Sequence, residues 1–217
     1  LRPVQAILFD LDGTLIAAHP RDMTRLAQRL GFLKLIAPGG DVARLLHRLL
    51  LWSEIPSNYL LACGERLGLD SENNRLINWL RRLKGVSVPK RSELVPDARE
   101  ALDRLMGRYQ LGVVTSRCRC TANNLLRQHQ IDAYFAAIAT REDTWLLKPH
   151  PAPVRYAARL LGMSPSACAM VGDTPMDMQA AKGAGAIAIG VLTGFGEEDD
   201  LRRAGADVIL PSVAELV

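Results

Sequence analysis

The sequence predicts an α/β fold, a doubly wound, Rossmann-like parallel sheet interrupted near its start by a small helical domain. Three observations predict it. An apolar run from Val4 ends in the carboxylate of Asp10, as a buried parallel strand feeding a loop does. A long block of helical periodicity follows, with no convincing strand pattern inside it. From about Glu93 onward, short apolar runs alternate with amphipathic stretches, the mark of repeated strand-helix units.

The first strand is expected over Val4 to Asp10. In the block that follows, Met23, Leu26, Ala27 and Leu30 recur at helical spacing, as do Val42, Leu45, Leu46 and Leu49. Tyr59, Cys63, Arg66 and Leu67 stop at Gly68, and Leu76, Ile77, Leu80 and Leu83 stop at Gly85, which makes four helices. Further strands are expected at Leu111 to Thr115, Ala136 to Ala139, Cys168 to Val171, Ala186 to Gly190 and Val208 to Leu210. Helices are expected at Asp97 to Met106, Thr121 to Gln128, Val154 to Leu161, Met176 to Lys182 and Glu198 to Ala204. The division that follows is a discontinuous catalytic core over 1–15 and 93–217, with a helical cap over 16–92.

A chain of 217 residues, 48% hydrophobic, can bury one full core and a small second lobe. It contains no apolar run of membrane-spanning length and no signal-peptide pattern, so a soluble, cytoplasmic protein is expected, as a monomer or homodimer. Cys63, Cys118, Cys120 and Cys168 are too few and too scattered for a disulfide framework and read as free thiols. The net charge of +4 is uneven: residues 16–92 hold 13 Lys and Arg against 6 Asp and Glu, while the remainder holds 14 against 17. With 5% aromatic residues and no nucleic-acid motif, no nucleic-acid partner is expected.

Chemistry concentrates where strands end. In open α/β sheets ligands bind beyond the carboxyl ends of the strands, and Phe9-Asp10-Leu11-Asp12-Gly13-Thr14 sits at such an end. Two carboxylates separated by one residue, in a bend released by Gly13, can divide the work of attack and proton transfer; an ordinary Asp-Gly turn is the plain alternative. Thr115, Ser116 and Arg117 follow a second strand and offer hydroxyls, amides and a cation to phosphate oxygens, or simply a helix cap. Lys148 stands in a rigid Lys-Pro-His-Pro segment before a helix, and Asp173 and Asp177 follow another strand four residues apart. A helix N-cap at Asp173 and a favourable N-terminal charge at Asp177 are the plain readings there. Four carboxylates cannot share a pocket without a cation. All the candidate ligands are oxygens, which points to Mg2+ rather than zinc.

These segments together resemble the haloacid dehalogenase superfamily, in particular its small-helical-cap members similar to phosphoglycolate phosphatase. FDLDGTL at 9–15 is similar to the family's first motif, VVTS at 113–116 to the second, Lys148-Pro149 to the third and GDTPMD at 172–177 to the fourth. The resemblance implies that Asp10 accepts the phosphoryl group and that Asp12 first protonates the leaving alcohol and then activates water. It implies that Thr115 binds phosphate and that Lys148 orients Asp10 and the phosphate. Magnesium is implied at Asp10, Asp173 and the main-chain carbonyl of Asp12, with Asp177 supporting it directly or through water. Asp12 favours phosphoryl transfer over dehalogenation. Two segments depart from the pattern: Ile16-Ala17-Ala18-His19 stands where Asp-Ser often follows an apolar residue, and Ser116-Arg117 stands where Asn-Lys is common. Both lie near the cap hinge or the leaving group, so they bear on the substrate and not on the catalytic set.

Arg21, Arg25 and Arg29, and Arg44, His47 and Arg48, form polar helix faces in the cap, and His19 stands near its hinge. Trp52, Tyr59 and Trp79 read as cap core. A basic cap favours substrates with a second anionic group. The leading expectation is a magnesium-dependent phosphomonoesterase acting on a small phosphorylated metabolite, phosphoglycolate-like or a sugar phosphate. A pyrophosphatase or a phosphomutase of the same superfamily is the alternative, followed by a noncatalytic protein whose basic cap docks an acidic partner.

Overall fold

A computed structural model of the chain describes residues 3–17 and 92–216. The chain divides into two compact units, Leu1–Ala18 with Val88–Val217 and His19–Ser87. The described residues all belong to the first unit, and the four helices expected between Met23 and Gly85 lie outside them.

Six strands form one parallel sheet: β1 (Ala6–Phe9), β2 (Gln110–Val114), β3 (Phe135–Ala139), β4 (Cys168–Gly172), β5 (Ile187–Val191) and β6 (Val208–Leu210). Their spatial order is β3-β2-β1-β4-β5-β6. From the centre the chain winds outward to β3, returns to β4 beside β1 and winds outward again. The order therefore reverses between β1 and β4, which is where an open α/β sheet leaves a crevice for ligand.

Helices α1 (Ala98–Leu105), α2 (Arg119–Gln128), α3 (Ala152–Leu160), α4 (Pro175–Ala184) and α5 (Glu198–Arg203) connect the strands. Strand alternation divides them between two faces. Ala6 and Leu8 turn toward Val154, Ala157, Met178 and Leu201 of α3, α4 and α5. Ile7 and Phe9 turn toward Ala98, Leu102, Ala122 and Leu126 of α1 and α2. Both faces are covered, so the central strands are apolar throughout rather than alternating.

Among the described residues element types match expectation, and the ends shift by no more than two residues. Helix α4, expected at Met176 to Lys182, runs from Pro175 to Ala184 because Thr174 and Asp177 form a capping box at its start and Gly185 takes a left-handed conformation at its end. Strand β1 is shorter than expected at both ends, and Asp10 stands just beyond it. The chain segments on either side of residues 18–91 are stitched together: the Val95 N–H donates to the Leu15 carbonyl at 2.9 Å and the Ala17 N–H to the Glu93 carbonyl at 2.8 Å. Among the described residues no helix is long and apolar enough to cross a membrane, and Cys118, Cys120 and Cys168 are free thiols.

Leu8 is fully buried at the centre of the sheet. Replacing Leu8 with Ala should destabilise the protein by about 2–5 kcal/mol, seen as a lower urea midpoint with an unchanged slope. Leu160→Ala, at a side chain left half exposed on α3, should change stability by less than about 1 kcal/mol.

Candidate active site

The C-terminal ends of β1, β2 and β4 and the loop before α3 converge on one point. The Asp10 N–H donates to the Val171 carbonyl at 2.9 Å, which continues the sheet ladder one residue past β1 and fixes the carboxylate at the crevice. The buried Lys148 ammonium donates to Asp10 Oδ1 at 2.8 Å, to Asp177 Oδ1 at 2.6 Å and to the Val114 carbonyl at 3.2 Å. An ammonium has three hydrogens, and all three are used. Burial works against its charge, but Asp10 and Asp177 outweigh that and hold the lysine above its ordinary pKa. Lys148 is therefore a core residue and not a surface lysine.

Burial also pushes the Asp10 carboxyl up to about 7, against the pull of Lys148 and with the added repulsion of Asp177 and Asp12. Asp173 is fully enclosed, and burial followed by repulsion from Asp177 and Asp10 raises it well above the ordinary carboxylate range. It is not the cap of α4; that position belongs to Thr174. Asp177 Oδ2 accepts from the Thr174 N–H at 3.1 Å and from the Thr174 hydroxyl at 2.6 Å, while Oδ1 accepts from Lys148. Asp177 thus contributes more than a favourable charge at a helix start: it locks the helix to the lysine.

Asp10, Asp173 and Asp177 each offer an oxygen within 4.8 Å of the others. Three buried carboxylates against one ammonium leave an excess of negative charge, which adds to burial in raising the Asp10 and Asp173 carboxyls. An all-oxygen, over-anionic set of this kind fits a hard divalent cation. Asp12, two residues from Asp10, lies outside the trio. Its two oxygens receive Arg117 Nε at 2.6 Å and Nη2 at 2.7 Å in a forked pair. The Asp12 side chain is 39% exposed, so the first motif presents one enclosed carboxylate and one open one.

Thr115 is buried just past β2, with its N–H on the Ala139 carbonyl at 2.9 Å and its hydroxyl accepting the Arg117 N–H at 3.1 Å. Ser116 follows it, half buried, and α2 begins three residues later. Arg117 does not stand free in that loop, because its side chain reaches back to Asp12.

Several contributing residues escaped the sequence reading. The loop after β5 wraps Asp173: the Phe195 N–H donates to Asp173 Oδ2 at 2.8 Å, and the Thr193 hydroxyl to the Gly13 carbonyl at 2.6 Å. Thr14 donates to Asp173 Oδ1 at 3.3 Å. A Cβ on Gly194 would lie 1.9 Å from Asp173 Oδ2, and one on Gly13, at φ +78°, would lie 2.3 Å from it, so only glycine fits either place. A glycine-bearing loop past a strand end was the available signal. Asp143 also went unnoticed; it accepts from Thr140 N–H at 2.7 Å and from Arg119 Nη2 at 2.5 Å, bracing the loop that leads to Lys148.

Comparison with known proteins agrees with this geometry. The family described as haloacid dehalogenase-like hydrolase matches residues 4–185. Phosphoglycolate phosphatase of Neisseria meningitidis is 31% identical over 98% of this chain and 92% of that protein. Phosphoglycolate phosphatase of Salmonella typhimurium is 29% identical over 100% and 92%. Among solved structures, a hydrolase from Pseudomonas syringae superposes with a TM-score of 0.71 at 24% identity, covering 98% of this chain and 95% of that one. A haloacid dehalogenase-like family hydrolase of Streptococcus pneumoniae superposes at 0.68 and 23% identity, covering 98% and 96%. With the family matched over residues 4–185, most of its length, the chain belongs to the haloacid dehalogenase-like hydrolases.

Proposed function

We propose that the protein is a magnesium-dependent phosphomonoester hydrolase whose substrate is a small phosphorylated metabolite of the phosphoglycolate type. The observation that carries this reading is the unequal setting of Asp10 and Asp12. Asp10 is enclosed and aimed by Lys148 through Oδ1, which leaves Oδ2 for a reacting phosphorus. Asp12 is open and held beside it by Arg117. Two carboxylates in different environments suit two different roles.

In the first step an Asp10 oxygen bonds to phosphorus, the bond from phosphorus to the leaving oxygen breaks, and Asp12 gives that oxygen a proton. In the second, water attacks the phosphorus, its proton returns to Asp12, phosphate departs and Asp10 is restored. Lys148 keeps Asp10 oriented, and the charge it supplies lets an anionic nucleophile meet an anionic phosphoryl group. Thr115 and Ser116, with the amides leading into α2, hold the phosphoryl oxygens. Magnesium, held by Asp10, Asp173 and the main-chain carbonyl of Asp12, would supply charge neutralisation for the transferring group. Asp177 has both oxygens engaged and would support the ion through water. The block at 16–92 serves as a cap that excludes water, and its basic composition favours an anionic leaving group. The substrate class rests on the relatives' activity and that charge.

Three outcomes are expected. Phosphate release from phosphoglycolate should require magnesium and fall about 1,000-fold or more in Asp10→Asn, measured as inorganic phosphate; equal rates in the two proteins would remove Asp10 from its role.

Gly194→Ala places a methyl group against the Asp173 carboxylate, and magnesium affinity by calorimetry should fall about 10- to 100-fold while the far-UV spectrum is retained.

Stability should also follow the raised carboxyls. A carboxyl whose pKa is higher folded than unfolded stabilises the fold at low pH, and that stabilisation is lost as pH rises through the folded value. For Asp10 the window runs from about 4 to about 7. The Tm of the metal-free protein should therefore decline across this window, less steeply in Asp10→Asn. Added magnesium should raise the Tm more at about pH 7.5 than at about pH 5, and an equal rise at both would contradict the assignment.

A further inference from the structure

Arg117 uses two of its three guanidinium nitrogens on Asp12, Nε at 2.6 Å and Nη2 at 2.7 Å. The third, Nη1, is shielded from solvent and has no hydrogen-bond partner. Among the described residues it is the one side-chain polar atom in that condition. An enclosed donor without an acceptor carries a desolvation cost that a protein normally avoids, and in a binding site it marks where a ligand atom completes the arrangement. Its position narrows the ligand. Arg117 lies on the Asp12 side, where the leaving oxygen must come for proton transfer, and not on Lys148, which is saturated by Asp10, Asp177 and Val114.

We propose that Arg117, anchored through Asp12, directs its remaining nitrogen at an anionic acceptor on the leaving group and so selects phosphomonoesters with a carboxylate close to the ester oxygen. This rests on the phosphatase reading above and adds to it the residue that reads the leaving group. A guanidinium is the suitable group because it is planar and rigid: one edge grips Asp12 while another N–H pair projects a fixed distance away. A lysine, as a point charge, cannot serve both. Loss of the contact leaves the nitrogen unsatisfied whenever a ligand lacks the acceptor, which is the asymmetry that gives strong discrimination. Asp12 is thus both a proton carrier and the mount for the selecting group.

The test separates binding from turnover. Asp10→Asn protein loaded with magnesium is titrated calorimetrically with phosphoglycolate, with ethyl phosphate, which lacks the carboxylate, and with inorganic phosphate. The same titrations are made after adding Arg117→Met or Arg117→Lys. The expected result is an affinity for phosphoglycolate about tenfold or more above that for ethyl phosphate. That preference should collapse in Arg117→Met and survive only in part in Arg117→Lys, with the loss for phosphoglycolate about tenfold or more above any loss for ethyl phosphate or inorganic phosphate. A preference that persists in Arg117→Met overturns the proposal, as does the lack of any preference before Arg117 is changed. Equal losses for all three ligands would assign Arg117 to the transferring phosphoryl group and overturn it as well. Failure of the phosphatase reading shows separately, as native and Asp10→Asn proteins releasing phosphate at the same rate.

Discussion

Three carboxylates meet one ammonium in a place sealed from water, and most of the molecule's arrangement follows from making that tolerable. Lys148 is the counter-charge, and it is positioned by exhausting its donors: Asp10 from β1, Asp177 from α4 and the carbonyl of Val114 from β2. One buried nitrogen therefore ties together three elements that are far apart in sequence. Removing it would leave uncompensated charge in the core, a far larger cost than the loss of an exposed ion pair. Even with it, burial and the neighbouring acids together hold the carboxyls of Asp10 and Asp173 raised. An all-oxygen, over-anionic set built this way suits a divalent cation.

The sheet supplies the convergence. Because β1 lies between β2 and β4, every residue just past those three strand ends points into one crevice. The apolar strands beneath make the platform rigid, with Phe9 and Val171 buried immediately before the first polar residues. Glycines then let backbone come close to the acids. The loop after β5 could not reach Asp173 if position 194 carried a side chain, and the turn after β1 has the same restriction at Gly13. Precision in the carboxylates is thus set partly by residues that have no functional groups.

How far the sequence discloses this depends on the range of the interactions. Strands and helices were legible because their signals are local: Leu111 to Val114 is an apolar run, and Gly185 ends α4 where a left-handed residue is needed. Asp10, Lys148, Asp173 and Asp177 were legible because each follows a strand or precedes a helix, and the structure brings them together. What could not be read was pairing across the fold. Arg117 looked like a cation for phosphate oxygens, yet it reaches a carboxylate 105 residues away. The support of Asp173 by Phe195 depends on β4 lying beside β5, a fact of topology with no local trace. Asp173 itself was as well explained as a helix cap until Thr174 was seen to take that place.

Asp10 and Asp12 show why adjacency in sequence is a poor guide to chemical equivalence. Past the turn held by Leu11, whose carbonyl accepts from Leu15 and Ile16, the two side chains find different partners, Lys148 for Asp10 and Arg117 for Asp12. One enters a closed box with a lysine and two other acids, and the other remains partly in solvent against an arginine. In the proposed reaction a nucleophile at Asp10 gains from enclosure, since water is excluded and its partner charges act at full strength. A proton carrier needs the reverse, contact with water and freedom to exchange. If both acids sat in the box, neither role would be served, because like charges at that depth suppress one another's ionisation. The fork on Arg117 holds the second acid apart from the box, and the same fork leaves one guanidinium nitrogen enclosed without a partner.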